Sequence, residues 1–77
     1  MPVILRVDGY RFYFYTQEHL PIHVHVAKGG AEAKVHLEPT VVVIKNYGFT
    51  PREMKKIMKV IRENRNYLIQ KWHETFD

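Results

Sequence analysis

Three histidines lie close together in this 77-residue chain, at His23, His25 and His36, on either side of a Gly29-Gly30 pair. In a β-hairpin, side chains alternate between two faces, so this spacing puts all three imidazoles on one face. Imidazole titrates near neutral pH, and it also binds metal ions. The segment therefore predicts a site for proton transfer or metal binding, with a solvated strand face of no function as the alternative.

One interpretation is acid–base cleavage of RNA without a metal ion or other cofactor. That reaction needs a proton acceptor, a proton donor and cations around the phosphate. The candidate catalytic residues are His23, His25, His36 and Lys34. The candidate residues for phosphate binding and base stacking are Arg6, Arg11, Tyr13 and Tyr15. On this interpretation the protein is a small ribonuclease that needs no cofactor.

A second interpretation is a metal centre, because an H-x-H pair on a strand directs two imidazoles to one side, which suits zinc or a similar ion. The alternative ligand set is His23, His25, His36 and Glu18. Against it, Lys34 and the arginines would repel a cation, and short motifs occur by chance. A third interpretation is a module without catalysis, which binds a partner protein or nucleic acid through this face or through a basic helix.

The composition narrows the class of protein. A net charge of +4 favours anionic partners such as RNA, and the absence of cysteine excludes disulfides and thiolate metal sites. The sequence shows no signal-peptide pattern and no apolar run of the roughly 20 residues that span a membrane. We therefore expect a cytoplasmic protein with no membrane contact. Its length predicts a single domain, residues 1–77, with a thin core that a homodimer contact could extend.

The first predicted hairpin turns at Asp8-Gly9, a dipeptide typical of type I′ turns. A two-residue turn pairs Arg6 with Arg11 and Val3 with Phe14. Period two then places Val3 and Phe14 on the core face, with the arginines on the other face.

The second predicted hairpin turns at Gly29-Gly30 or at Lys28-Gly29. The first register pairs His23 with His36, and the second pairs His23 with Lys34. Both registers keep the histidines on one face and the valines on the other, because a slip of one residue would exchange the faces. The apolar run TVVVIK, residues 40–45, predicts a further strand that is covered on both faces.

The C-terminal third has helical spacing. Thr50, Pro51 and Glu53 form the capping-box pattern and predict a helix start, with apolar positions recurring to about residue 74. Asn64 and Arg65 interrupt this apolar stripe, which predicts a polar contact there or a stripe that passes the sheet edge. The fold class is therefore α+β: an antiparallel sheet of four or five strands within residues 1–45, and one long helix over residues 50–74 packed on one face.

A resemblance to a short bacterial family, the domain of unknown function 4160, is carried by the segments EHLPIHVHV, GGAEAKVHLEP and NYGFTPREMKKIMKVIRENRNYLIQKW. It covers nearly the whole chain. The family's signature positions correspond here to Glu18, His19, Pro21, His23 and His25. Ile22 stands where a second proline is expected, which concerns the stiffness of the loop. The resemblance implies a toxin–antitoxin gene pair, with this chain on the toxin side and a neighbouring small antitoxin-like protein as its partner.

Overall fold

The computed structural model describes residues 3–77, so the predicted domain's first two residues lie outside it. Five antiparallel strands form one sheet, in which each strand pairs with its neighbour in the sequence. The strands are β1 (Val3–Val7), β2 (Tyr10–Tyr13), β3 (His23–Lys28), β4 (Ala31–His36) and β5 (Val42–Tyr47). Two helices follow, α1 (Pro51–Glu63) and α2 (Arg65–Phe76). The α+β class is confirmed.

Both predicted hairpins are confirmed in their turns. Asp8 and Gly9 have φ of 50° and 85°, as a type I′ turn requires, and Arg6 pairs with Arg11. The pairing predicted for Val3 is wrong, because the register shifts between Val3 and Leu5 and Val3 pairs with Tyr13.

In the second hairpin, His23 pairs with His36 and His25 with Lys34, which is the register of a Gly29-Gly30 turn. The valines of β3 and β4 consequently face the core together, and Val24, Val26 and Val35 have no exposed surface. The helices cover these valines with apolar side chains that are equally buried. Those side chains are Ile57, Ile61 and Leu68.

The prediction of a fifth strand covered on both faces is wrong in its burial. The strand forms, but all six residues of β5 are exposed, including Val42, Ile44 and Tyr47. The reason is position: β5 is an edge strand, and the buried core is built from β2, β3, β4, their flanking residues and the helices.

The prediction of one long C-terminal helix is also wrong, because the helix is interrupted at Asn64. The Asn64 side-chain amide donates a hydrogen bond to Val60 O at 2.8 Å, and Asn64 has φ −117° and ψ 16°. Val60 O also accepts the Asn64 backbone N–H at 3.1 Å, so the side chain shares this carbonyl with the helical backbone ladder. Of the two alternatives for this position, the polar contact is the one observed, since Arg65 Nε donates to Leu37 O at 2.9 Å. Within residues 3–77, neither helix combines the length and apolarity that membrane crossing requires.

Candidate metal centre

His23 and His25, which period two places on the face away from the valines, are buried. His23 is 3% exposed and His25 is 5% exposed. The segment between β2 and β3 covers them, because the Tyr15 ring stacks on the His25 ring with centroids 3.9 Å apart. The Trp72 ring of helix α2 lies 5.2 Å from the His23 ring. The alternative of a solvated histidine face is therefore wrong at this end of the sheet.

Glu18 brings the two rings together. Its Oε2 lies 2.9 Å from His23 Nε2 and 3.0 Å from His25 Nε2. The Glu18 side chain is 6% exposed, so the carboxylate is almost as dry as the rings. One potential ligand atom from each of the three residues lies within 4.8 Å of the others. We call Glu18, His23 and His25 the histidine–glutamate cluster.

The local backbone fixes the His23 ring. Pro21 has no N–H and β3 begins just after it, while its carbonyl oxygen lies 2.8 Å from His23 Nδ1. A carbonyl oxygen only accepts hydrogen bonds, so Nδ1 carries the proton. In the neutral ring Nε2 is then a bare lone pair, and it is directed into the cluster.

That lone pair has no hydrogen-bond partner. Glu18 Oε2 is near it at 2.9 Å, but that oxygen is not placed as a hydrogen bond requires. Two acceptor atoms in contact inside a dry site repel each other unless a proton or a metal ion lies between them. A metal ion would remove this repulsion.

His25 is held in a different way. Its Nε2 makes a hydrogen bond to Glu18 Oε2, and its ring is stacked by Tyr15 and, at 5.5 Å, by Tyr13. Burial lowers the pKa of His25, and the nearby Glu18 carboxylate opposes part of that effect. The neutral ring that results is the form that binds metal ions.

His36 is left out of the cluster. It faces His23 across the strand pair, with ring centroids 6.2 Å apart, and it is half-buried. Within residues 3–77, the side chains that bring three potential ligand atoms within 4.8 Å of one another are those of Glu18, His23 and His25. Burial lowers the pKa of His36, as do the charges of His23 and Lys34. Three of the four residues in the predicted ligand set therefore lie together in the structure.

The predicted RNA-binding residues are distributed unevenly. Lys34 lies directly opposite His25 and is half-buried. Arg11 pairs with Ala27, further along β3 than His25, and Arg6 is exposed beside it. The structure therefore keeps the arginine pair outside the cluster.

Tyr13 and Tyr15 differ in how much of each ring is exposed. Tyr13 is 6% exposed and its hydroxyl donates to Glu32, so the prediction that its ring is free for base stacking is wrong. Burial and the Glu32 carboxylate raise the pKa of Tyr13 above its usual range. Tyr15 is 37% exposed, although one face of its ring is occupied by His25.

Sequence reasoning missed three residues beside the cluster. Lys45, Tyr47 and Glu32 line a groove that also includes His25 and Lys34. Lys45 lay in a run predicted to be buried. The alternation of Lys45 and Tyr47 would have been a usable signal if that strand had been assigned to the sheet edge.

Comparison with known families supports the resemblance drawn from the sequence motifs. Residues 9–73 match the family described as Domain of unknown function (DUF4160). The comparisons with curated proteins and with solved structures give no match. The matched range contains the histidine–glutamate cluster and most of both helices. The chain therefore belongs to the domain of unknown function 4160 family.

Proposed function

We propose that this protein binds a divalent transition-metal ion through Glu18, His23 and His25. The observation that carries the proposal is the His23 Nε2 atom, which is buried, lies 2.9 Å from Glu18 Oε2 and has no hydrogen-bond partner. Metal-ligating histidines usually donate their other ring N–H to a carbonyl or a carboxylate. His23 does this with Pro21, so its ring is oriented before any ion arrives.

The distances suit an ion without a large rearrangement. Zinc bonds to histidine nitrogen and carboxylate oxygen are about 2.0–2.2 Å long, which puts neighbouring ligand atoms of a tetrahedral site about 3.3–3.6 Å apart, roughly half an ångström wider than the contacts in the cluster. The carboxylate oxygen already lies 2.9 Å and 3.0 Å from the two nitrogens. His25 would move its Nε2 proton to Nδ1 and bind through the freed lone pair.

The chemistry of the ligand set indicates the kind of ion. Two imidazoles and one carboxylate suit zinc or ferrous iron, and three protein ligands leave coordination positions for water or substrate. An ion of this kind lowers the pKa of a bound water and polarises carbonyl or phosphoryl oxygens. The proposed class is thus a small metalloprotein with a reactive ion rather than a sealed structural site.

The proposal is tested by zinc titration calorimetry after the purified protein has been treated with EDTA and exchanged into buffer. We expect one equivalent of Zn²⁺ to bind, and Glu18→Gln to weaken binding at least a hundredfold, because the amide keeps the shape and loses the charge. His36→Ala is the matched control and should bind as the wild type does. Absence of zinc, manganese and ferrous iron binding by the wild type would overturn the proposal. Equal losses in Glu18→Gln and His36→Ala would also contradict it.

A second candidate function is action on RNA, as the toxin of a toxin–antitoxin pair with a neighbouring small protein as partner. The observation that favours it is Lys34, a cation directly opposite His25 on the same face. Phosphate charge could be neutralised there. Because the His23 and His25 side chains are only 4% and 7% exposed, we propose ion-assisted cleavage in place of direct proton transfer by these rings.

A cleavage assay tests this second candidate. Single-stranded RNA is incubated with the wild type and with a folded His23→Ala/His25→Ala variant, first in EDTA and then with Zn²⁺ or Mn²⁺. Cleavage that needs both the ion and the histidines is the expected result. Histidine-dependent cleavage in EDTA would support the metal-independent mechanism instead. No cleavage under any condition would exclude the ribonuclease and leave ion binding as the function.

A further inference from the structure

A groove of about 190 Å³ runs beside the histidine–glutamate cluster, on the face of β3, β4 and β5 that lies opposite the valines. His25 belongs to both, since its Nε2 contacts Glu18 and its ring forms part of the groove wall. The groove and the proposed ion site thus share His25. Lys34, Lys45 and Tyr47 also line the groove.

Three nitrogen-bearing side chains form a row across the strands of this groove. His25 is paired with Lys34, and Lys34 is paired with Lys45. Like charges placed directly opposite each other on a sheet are destabilising. Such a pair is more easily explained if a ligand lies between the charges.

No acidic side chain within residues 3–77 forms an ion pair with either lysine. Glu32 is the acidic residue of the groove, and its carboxylate already accepts hydrogen bonds from the hydroxyls of Tyr13 and Tyr15. An anion held between Lys34 and Lys45 would supply the missing negative charge. Two ammonium groups suit a phosphate group.

An aromatic ring lies next to the lysine pair. Tyr47 follows Lys45 by two residues on β5 and is 63% exposed. Exposed tyrosine rings beside cations are the surfaces on which unpaired bases stack in nucleic-acid-binding proteins. The groove therefore combines a place for a phosphate with a place for a flat ring.

We propose that this groove binds a nucleotide unit, with its phosphate between Lys34 and Lys45 and its base against Tyr47. The inference deepens the proposed function, since it names the class of substrate on which the metal centre would act. Its placement of the phosphate next to the ion rests on that proposal, whereas nucleotide binding by the groove does not. A free nucleotide and a single RNA strand offer the same chemistry, and the test separates them.

The test measures binding to the EDTA-treated protein by titration calorimetry, with inorganic phosphate, adenosine monophosphate and a single-stranded hexaribonucleotide as three probes. Lys45→Met should weaken adenosine monophosphate binding at least tenfold. Tyr47→Leu should weaken adenosine monophosphate binding and leave phosphate binding unchanged. Lys59→Met is the matched control, because it removes the same charge from an exposed position on α1, outside the groove.

Each outcome has a definite consequence. Tighter binding of the hexaribonucleotide than of adenosine monophosphate assigns the groove to RNA, and equal binding assigns it to free nucleotides. Equal weakening by Lys45→Met and Lys59→Met would overturn the proposal, because the attraction would then be the general charge of the protein. Failure of all three probes to bind would overturn it as well. Failure of zinc, manganese and ferrous iron to bind, with nucleotide binding intact, would instead overturn the metal centre alone.

Discussion

His23 and His36 face each other across β3 and β4, yet the structure treats them differently. His23 is 3% exposed, packs against Trp72 and has both ring nitrogens close to oxygen atoms of the protein. His36 is half-buried and has no place in the cluster. Equal position in a strand therefore does not mean equal chemistry. What separates the two rings is the segment between β2 and β3, which brings Glu18 to one of them.

The largest effect should come from loading the cluster with its ion. A ligand that binds only the folded state adds about 2.7 kcal/mol to the free energy of unfolding at a hundred times its Kd. Zinc at that concentration should raise the unfolding midpoint of the wild type and of His36→Ala, but not that of Glu18→Gln. Differential scanning calorimetry with and without EDTA measures the effect. An equal rise in Glu18→Gln would place the ion elsewhere.

Alanine substitution of the two facing histidines should reproduce the contrast without metal. His23→Ala leaves the Pro21 carbonyl without its donor and leaves a gap beside Trp72, which should cost about 1–3 kcal/mol. His36→Ala should stay within about 0.5 kcal/mol, as surface substitutions usually do. Urea unfolding in EDTA gives both values. Similar losses for the two variants would show that the difference in environment has no energetic weight.

Acid should destabilise the metal-free protein because His25 is buried as a neutral ring. Burial lowers the pKa of folded His25 below its value of 6.5 in the unfolded chain, so the unfolded state takes up a proton first. Stability is therefore fully present above about pH 6.5 and is lost as the pH falls towards the folded-state pKa. Urea midpoints measured from pH 8 to pH 5 should fall, and more steeply for the wild type than for His25→Gln. A flat profile would contradict the shift.

The smallest effect concerns the groove, where we expect a gain. Lys45→Glu turns the like-charge pair with Lys34 into an attractive pair and should stabilise the protein by about 0.2–1 kcal/mol. The same substitution should weaken nucleotide binding. Urea unfolding and the nucleotide titration together measure this exchange of stability for binding. A loss of stability in Lys45→Glu would mean that the lysines are not in repulsive contact.

Much of the fold could be predicted, because its signals are local. Asp8-Gly9 and Gly29-Gly30 set the hairpin turns, and alternation along β3 and β4 separated valines from histidines. The capping box at Thr50 and Glu53 is present with both of its hydrogen bonds. The interruption at Asn64 was visible as a polar residue in an apolar stripe. That its side chain would bond to Val60 O and divide the helix could not be read from that stripe.

Three of the four residues in the alternative ligand set lie together in the structure, but the sequence did not indicate how they meet. The sequence by itself determined which residues share a face, since period two in a hairpin depends only on the turn and the order of side chains. Only the tertiary structure decided that Glu18 contacts His23 and His25, that His36 is excluded and that β5 lies uncovered at the edge. The reason is that these outcomes depend on how the segment after β2 and the two helices pack on the sheet, which is set by long-range contacts and not by local spacing.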